Sequence, residues 1–538
     1  MDIALPVLGG LGLFLYGMNI MGTGLEKASG EKLKRLIEIL TSNRLMGVLV
    51  GTVVTLIMQS SSATTIMVVG FVNAGLMNLS QAMGVIMGAN IGTTVTAQLI
   101  AFDLADIAPL AVAIGVGIWL ITSKKRLKSL AEVLIGFGVL FIGMDMMSGG
   151  LKPLANNPVF SNMIASLNNP LLGILVGFGL TTLIQSSSAS IGLLQALASL
   201  GLVDIRIAFP ILFGDNIGTT TTALISSVGA NKTAKRAAIM HFLFNLIGTI
   251  LFVTLLRIPI QSIVLKISPY DIKRQIANAH TLFNVINTII LFPFANLIIK
   301  AAEKMIPGKD VREEEEELIY LDTRIMETPS IALGQVVKEI FRMANLVENN
   351  VKTAYLAFAN KDERLIQEVF EKEKTINKLE TAIIQYLVDL SNKPLTEKQH
   401  IQVNALINSI NDIERVGDHA DNIGELTQVA IENNLPFSET AMKELENIFN
   451  KTYDAFKLAS ESLHEVNYEK AKETLKLEEE VDRLEEKYRT NHIDRLNRMQ
   501  CTPHSGVIYL DFLSNLERIS DHSSNIALYV LDDLKENR

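Results

Sequence analysis

Residues 56–71 read LIMQSSSATTIMVVGF, and residues 182–197 read TLIQSSSASIGLLQAL. One amide and three hydroxyls interrupt each apolar run: Gln59, Ser60, Ser61 and Ser62 in the first, Gln185, Ser186, Ser187 and Ser188 in the second. In hydrocarbon each of these groups must find a hydrogen-bond partner or cost free energy. A polar interruption that occurs twice in one pattern points to a single polar site to which both copies contribute.

The repetition extends outward at a constant offset of 126 residues. Gly10, Gly12, Gly17, Met18, Met21, Gly24 and Leu25 recur as Gly136, Gly138, Gly143, Met144, Met147, Gly150 and Leu151. GVLVG at 47–51 recurs as GILVG at 173–177, and Asn90-Ile91-Gly92-Thr93-Thr94 recurs as Asn216-Ile217-Gly218-Thr219-Thr220. Internal symmetry of this length reads as an inverted or parallel repeat in a membrane transporter.

Composition divides the chain near residue 300. Residues 1–300 hold 19 Lys+Arg and 11 Asp+Glu, a net of +8; residues 301–538 hold 29 and 46, a net of −17, and the two sum to −9. The first part is apolar and rich in Gly and Met. The second is charged and helix-forming. A single cysteine, Cys501, excludes an intramolecular disulfide framework and a Cys-based zinc site. No cleavable signal is expected, because Asp2 is followed at once by a Gly-rich helix with no basic segment before it.

The apolar pattern predicts spans at 3–25, 107–123, 130–148, 237–256 and 276–299. It predicts an amphipathic, basic helix along the membrane surface at 26–40. Residues 45–58 are too short to cross and resume after the serines to about Gly75, as a re-entrant hairpin or broken helix would. Residues 80–102 read as broken at Asn90, with matching broken pairs around Gln185 and Asn216. If the C-terminal half is cytoplasmic, the inside loops hold 12 Lys/Arg and the outside loops five: Lys152, Arg257, Lys266, Lys273 and Arg274. That distribution agrees with the positive-inside rule. The same tracing orients the two copies oppositely, with the serine motifs facing each other near the midplane.

Ser hydroxyls and Gln amides both donate and accept. A helix that restarts at such a motif exposes backbone N–H groups and the positive end of its dipole, which favour an anion. No Lys or Arg lies near either motif. An oxyanion would therefore take its countercharge from elsewhere, and sodium ions held by hard Gln, Ser, Thr and backbone oxygens would supply it. Packing between helices is the structural alternative for the hydroxyls. Asp215 departs from the symmetry, since copy one has Ala89 there. An ionisable residue in a membrane segment is a functional candidate; it reads as a sodium ligand, a proton carrier or a charge at a water-facing mouth.

The doubled Gln-Ser-Ser-Ser in Gly-rich membrane segments resembles the type II sodium/phosphate cotransporter family, over about residues 1–300. The resemblance implies sodium-coupled phosphate transport through a site made by both repeats, in an elevator-like or rocking cycle. It makes Gln59, Ser60, Ser61, Ser62, Gln185, Ser186, Ser187 and Ser188 the phosphate and sodium site, with Asn90, Thr93, Thr94, Asn216, Thr219 and Thr220 as supporting ligands. Thr64 and Asp215 complete the candidate set.

Residues 301–329 contain Pro307-Gly308 and Glu313 to Glu317 and read as an acidic linker. Six amphipathic helices follow, at 330–359, 361–391, 396–432, 438–465, 467–499 and 506–535, punctuated by Pro394, Pro436 and Pro503. This half also repeats, at an offset of 103–105. Glu414-Arg415-Val416-Gly417-Asp418-His419 with Asn422 matches Glu517-Arg518-Ile519-Ser520-Asp521-His522 with Asn525, and Glu373 and Asn377 match Glu478 and Asp482. Carboxylates at i and i+4 share a helix face and repel. A metal would relieve that repulsion; salt bridges on a solvated face are the alternative. The ERxxDHxxN pair resembles the PhoU family of phosphate-signalling proteins, whose two three-helix repeats and metal-binding faces it implies here. Glu373, Glu414, Asp418, Glu478, Asp482, Glu517 and Asp521 are then the metal ligands, with iron, manganese and zinc all open. Asn377 departs from the acidic pattern and weakens the site that contains Glu373.

The expected molecule is all-α: a multi-pass membrane protein with inverted repeats and broken helices (1–300, with repeats at about 1–126 and 127–256), and a cytoplasmic PhoU-like bundle at 330–538. The expected function is sodium-coupled symport of inorganic phosphate across the cytoplasmic membrane, regulated by the helical half. Phosphate export, another oxyanion, or a non-transporting receptor are the rival readings. No nucleophile–base set or phosphate-loop spacing suggests an enzyme, and no nucleic-acid partner is expected. The partners are phosphate, sodium and the bilayer, with homo-oligomerisation left open.

Overall fold

The computed structural model describes residues 3–38, 43–102, 104–155, 157–167, 169–308 and 318–532, and every regular element among them is helical. The chain divides into two compact units, Met1–Val311 and Arg312–Arg538.

In the first unit, copy one comprises α1 (Ala4–Glu38), α2 (Arg44–Met58), α3 (Ser61–Asn73), α4 (Leu79–Gly92), α5 (Thr94–Ile100) and α6 (Ala108–Ile121). Copy two comprises α7 (Lys125–Ala155), α8 (Pro158–Ser166), α9 (Pro170–Ile184), α10 (Ser187–Ser199), α11 (Ile205–Gly218), α12 (Thr220–Ser226) and α13 (Lys232–Leu251). A π turn at Phe252–Leu256 carries α13 into α14 (Arg257–Ile267), and α15 (Ile272–Leu291) and α16 (Ala295–Met305) follow. Ala4–Ser29, Leu79–Ile100, Lys125–Ala155 and Lys232–Ile267 are each long and apolar enough to cross a membrane.

The repeated glycines set the packing. α1 and α7 run antiparallel with their backbones in contact. A Cβ on Gly10 would lie 2.6 Å from the Gly143 carbonyl oxygen, and one on Gly17 would lie 2.6 Å from that of Gly136. Gly10 and Gly136 are repeat mates, as are Gly17 and Gly143, so each glycine meets the mate of the other. Small residues at such a crossing let two helices gain van der Waals contact, the main attraction between helices in lipid. The pairs α2–α4 and α9–α11 pack alike: a Cβ on Gly51 would strike the Val85 carbonyl, and one on Gly177 that of Ile211.

Some expected boundaries differ. The surface helix expected at 26–40 is the continuation of α1, which runs on to Glu38. Gly30 stands in its path, but a glycine costs a helix only about 1 kcal/mol, too little to end one. The break expected at Asn90 is a hitch: Thr93 keeps helical torsions (φ −62°, ψ −22°), and Leu79–Ile100 continues as one span. Thr219 behaves the same way (φ −57°, ψ −27°). The last span, expected unbroken over 276–299, bends by 84° between α15 and α16. Pro293, which lacks an N–H to donate, lies at that bend. Residues 257–267, expected in a loop, are helical because the π turn carries α13 onward.

The second unit holds α17 (Pro329–Asn360), α18 (Glu363–Ser391), α19 (Glu397–Glu432), α20 (Glu439–Glu465), α21 (Tyr468–Asn497) and α22 (Pro503–Asp532). Side-chain caps start several of them: Thr396 and Gln399 form a capping box on α19, and Ser438 accepts from Ala441 N–H on α20. Of the expected linker at 301–329, α16 takes the start, Glu313 to Glu317 lie outside the described residues, and the end folds onto this unit. Buried Glu339 accepts the Ile319 and Tyr320 N–H groups at 2.9 and 2.6 Å, and the Tyr386 hydroxyl donates to Asp322 O at 3.0 Å.

Candidate functional site

Each serine motif turns a helix end into a helix start within two residues. Gln59 closes α2 in the left-handed region (φ 54°), and Ser60 is extended (φ −146°, ψ 107°). Gln185 (φ 56°) and Ser186 (φ −146°, ψ 109°) repeat this between α9 and α10. The first serine of each triplet is the cap: Ser60 Oγ accepts from Ala63 N–H at 3.1 Å, and Ser186 Oγ accepts from Ala189 N–H at 3.2 Å. The first helical bonds are Thr64 N–H to Ser60 O and Ser190 N–H to Ser186 O. The N–H groups of Ser61, Ser62, Ser187 and Ser188 therefore sit ahead of the helical ladder, at the positive end of each dipole. The Gln59 side chain is held on both sides, accepting from the Thr96 hydroxyl at 2.9 Å and donating to Leu56 O at 2.6 Å.

The copies interlock here. α3 packs against α12 of copy two, and α10 packs against α5 of copy one, where Gln195 Nε2 donates to Ala97 O at 3.2 Å. Each serine helix thus meets the threonine helix of the other copy. Among the supporting candidates, Asn90 and Asn216 are buried and donate to Ile86 O and Leu212 O, both at 2.8 Å. Thr94, Thr219 and Thr220 donate to backbone carbonyls of their own segments. Buried Thr93 opens α5 without a side-chain cap bond. The amide and hydroxyl donors of these two motifs are thus turned back on their own chain, apart from that of Thr93.

The copies part at one position. In copy one the Thr55 hydroxyl donates to Thr64 Oγ1 at 3.0 Å. In copy two the corresponding Thr181 and Ser190 are held apart by Asp215, whose Oδ1 accepts from both at 2.7 Å. Asp215 is fully buried, and its Oδ2 has no partner. Thr181 and Ser190 were not singled out in the sequence. The signal was available, since each follows from Thr55 and Thr64 at the offset that relates Asp215 to Ala89.

In the second unit, Glu478 and Asp482 of α21 and Asp521 of α22 bring carboxylate oxygens within 4.8 Å of one another. Burial, then repulsion from neighbouring carboxylates (Asp482 on Glu478 and Asp521, Glu485 on Asp482), raises all three, and burial with Asp521 and Asp482 raises Glu517. In copy one, Glu373 is buried, lies over Gly417, and has both oxygens unpartnered. Burial and the nearby Asp418, Asp421 and Glu414 push it up to about 8. Glu414 is raised by burial and by Asp418. These oxygen sets suit a hard or borderline cation. Around them α19 and α22 exchange matched bonds: His419 Nδ1 pairs with Asn515 Oδ1, and His522 Nδ1 with Asp412 Oδ1, both at 2.8 Å.

Comparison with known proteins follows the same division of the chain. The Na+/Pi-cotransporter family model matches residues 13–149 and 140–268, and the PhoU domain model matches 340–427 and 445–530. The chain is 24% identical over 533 residues to "Putative inorganic phosphate export protein YjbB" of Salmonella typhimurium, covering 98% of this chain and 97% of that one. It is 32% identical over 297 residues to "Uncharacterized protein YqeW" of Bacillus subtilis, covering 55% and 96%. It is 22% identical over 391 residues to "Sodium-dependent phosphate transport protein 2A" of Rattus norvegicus, covering 47% and 61%.

Proposed function

The chain belongs to the Na+/Pi-cotransporter family and carries PhoU domains, and on that premise we propose that it couples movement of inorganic phosphate across the cytoplasmic membrane to sodium. The observation that carries this reading is the pair of helix restarts at Gln59 and Gln185. Each offers serine hydroxyls and free N–H groups to an oxyanion, and each packs against the other copy. In this reading Ser61, Ser62, Ser187 and Ser188 hold phosphate while Gln59 and Gln185 fix the turn. Asn90, Thr93, Thr94, Asn216, Thr219 and Thr220 brace the hairpins. Asp215, with Thr181 and Ser190, holds a sodium ion that offsets the anion's charge.

The antiparallel crossing of the repeat-related α1 and α7 supports an inverted arrangement of the two copies. The excess of Lys and Arg in the assigned inside loops supports a cytoplasmic helical unit. There it would regulate transport, with a metal ion of the iron, manganese or zinc class on the faces of Glu478, Asp482, Glu517 and Asp521 and of Glu373, Glu414 and Asp418.

Export is the second reading. It is favoured by the relative named as a phosphate export protein, which matches 98% of this chain, helical unit included. Labelled-phosphate uptake into proteoliposomes, with an inward sodium gradient and then with potassium in its place, separates the two. Uptake that requires sodium is expected. Equal uptake in potassium would remove the coupling, and efflux from loaded vesicles without any sodium gradient would favour export.

A further inference from the structure

A second duplicated segment lies outside the hairpins. α13 holds His241-Phe-Leu-Phe-Asn245-Leu-Ile-Gly248-Thr249, and α15 holds His280-Thr-Leu-Phe-Asn284-Val-Ile-Asn287-Thr288, with six of nine residues identical at an offset of 39. The two are also folded alike. His241, Asn245, His280 and Asn284 are all buried. Each asparagine donates its Nδ2 to the carbonyl of its own histidine one turn back, at 3.1 Å for Asn245 and 3.0 Å for Asn284. Of an amide's two ends only the NH2 can donate to a carbonyl, so these bonds assign which end of each amide is which. Both Oδ1 atoms are left buried without a donor, and so is Nδ1 of each histidine.

The surroundings of the two segments obey the same symmetry as the hairpins. α13 packs against α3, α4, α11 and α12, and α15 packs against α10, α11, α4 and α5. Exchanging copy one for copy two turns the first set into the second. Both segments also reach α11 two residues before Asp215. The Thr249 hydroxyl donates to Phe213 O at 3.3 Å, and the Phe283 ring lies 5.3 Å from that of Phe213. The symmetry breaks in two places: the hydroxyl of Thr288, the mate of Thr249, has no partner, and an asparagine stands where α13 has Gly248. Asn287 lies on Gly248, donates to Phe244 O at 3.4 Å, and leaves its own Oδ1 without a donor.

The unpaired buried oxygens on these three helices are thus one carboxylate oxygen, on Asp215, three amide oxygens, on Asn245, Asn284 and Asn287, and the hydroxyl of Thr288. The carboxylate and amide oxygens are acceptors only, and the hydroxyl both donates and accepts. No Lys or Arg occurs in 207–231, 237–256 or 275–299 to answer them. Buried acceptors without donors are costly, and a cation is their complement. With only one carboxylate, the set suits a monovalent ion better than a divalent one.

We propose that Asn245 and Asn284 are sodium ligands, one on each side of the internal symmetry, each giving an amide oxygen to its own ion. This rests on the sodium-coupled reading. The test uses the full-length protein. Its readouts are the sodium dependence of phosphate uptake in proteoliposomes and the thermal stabilisation by sodium in detergent, with choline holding ionic strength constant. Asn245→Ala and Asn284→Ala should each raise the half-saturating sodium concentration at least tenfold, with the phosphate KM at saturating sodium within twofold of wild type. Asn245→Asp and Asn284→Asp keep an oxygen in place and should respond to sodium at or below the wild-type concentration. Wild-type sodium responses in the alanine variants would overturn the assignment. So would a folded aspartate variant that no longer responds to sodium, which decides the matter where alanine does not fold. A wild type indifferent to sodium in both readouts would overturn the coupled reading itself, and the two asparagine sites with it.

Discussion

The hairpin of copy one and the hairpin of copy two have the same backbone and differ in one charge. Their left-handed glutamines agree to within a few degrees (φ 54° and 56°), as do the extended serines that follow. Behind the first, two threonine hydroxyls close on each other. Behind the second, a buried carboxylate stands between the equivalent threonine and serine. Duplication supplied a frame with two positive helix ends, which in the proposed reading face one anion. A change at one position then placed a negative charge on one side only. The difference teaches that anion binding should depend on both copies, and binding of the sodium ion assigned to Asp215 on copy two.

The sharpest way to break this comparison is to make copy two resemble copy one. Asp215→Ala leaves Thr181 and Ser190 free to pair as Thr55 and Thr64 do, so the hairpin should persist. Sodium-driven phosphate uptake should fall by about 10–100-fold, the range expected when a charged partner worth ~1.5–3 kcal/mol is lost. Uptake measured against sodium concentration checks it. Full activity in Asp215→Ala would make the asymmetry incidental.

A smaller effect tests the half of the comparison that the copies share. Ser61→Ala and Ser187→Ala should each raise the phosphate KM by about 10-fold, one hydrogen bond to a charged ligand. Ser148→Ala, on α7 and outside both motifs, should leave it unchanged. Uptake titrated with phosphate at saturating sodium distinguishes these outcomes. Equal effects at all three positions, or an effect in only one copy, would count against a shared anion site.

Much of this was legible because polar groups inside apolar runs are expensive and therefore informative. The Gln-Ser-Ser-Ser interruptions marked the hairpin breaks to the residue. The helices of the second unit ended close to where their caps and prolines stand, within about three residues. The Asn-Ile-Gly-Thr-Thr motif misled, because Asn90 and Asn216 satisfy themselves on their own helix and no break is needed. The bend at Pro293 was missed because the apolar run around it continues without interruption. The His-Asn pair on α13 and α15 escaped because its offset differs from the main repeat. Taken singly, a buried histidine or asparagine in a helix reads as packing. Its meaning lies in which end of the amide is left unpaired, and only coordinates give that.

The helical unit offers the same kind of comparison with the smallest expected effect. In its second copy Glu478, Asp482 and Asp521 gather at the surface. In its first copy Asn377 replaces the second carboxylate, and Glu373 lies buried with both oxygens unpaired. Burial and its acidic neighbours push Glu373 from an ordinary 4.5 up to about 8. Between those values the folded protein holds a proton that the unfolded chain has lost. Its contribution to stability is therefore fully present below the ordinary carboxylate value and is lost as pH rises toward about 8. Glu373→Gln removes that loss. With metals chelated, α18 amides of the full-length variant should exchange about 5-fold more slowly than wild type at pH ~8.5, equivalent to ~1 kcal/mol, and equally at pH ~5. A divalent cation added at the higher pH should slow exchange in the wild type and leave the variant unchanged, because the ion answers the same charge that the substitution removes. Equal exchange of the two proteins at both pH values would mean that Glu373 ionises without penalty and that the first copy needs no ion.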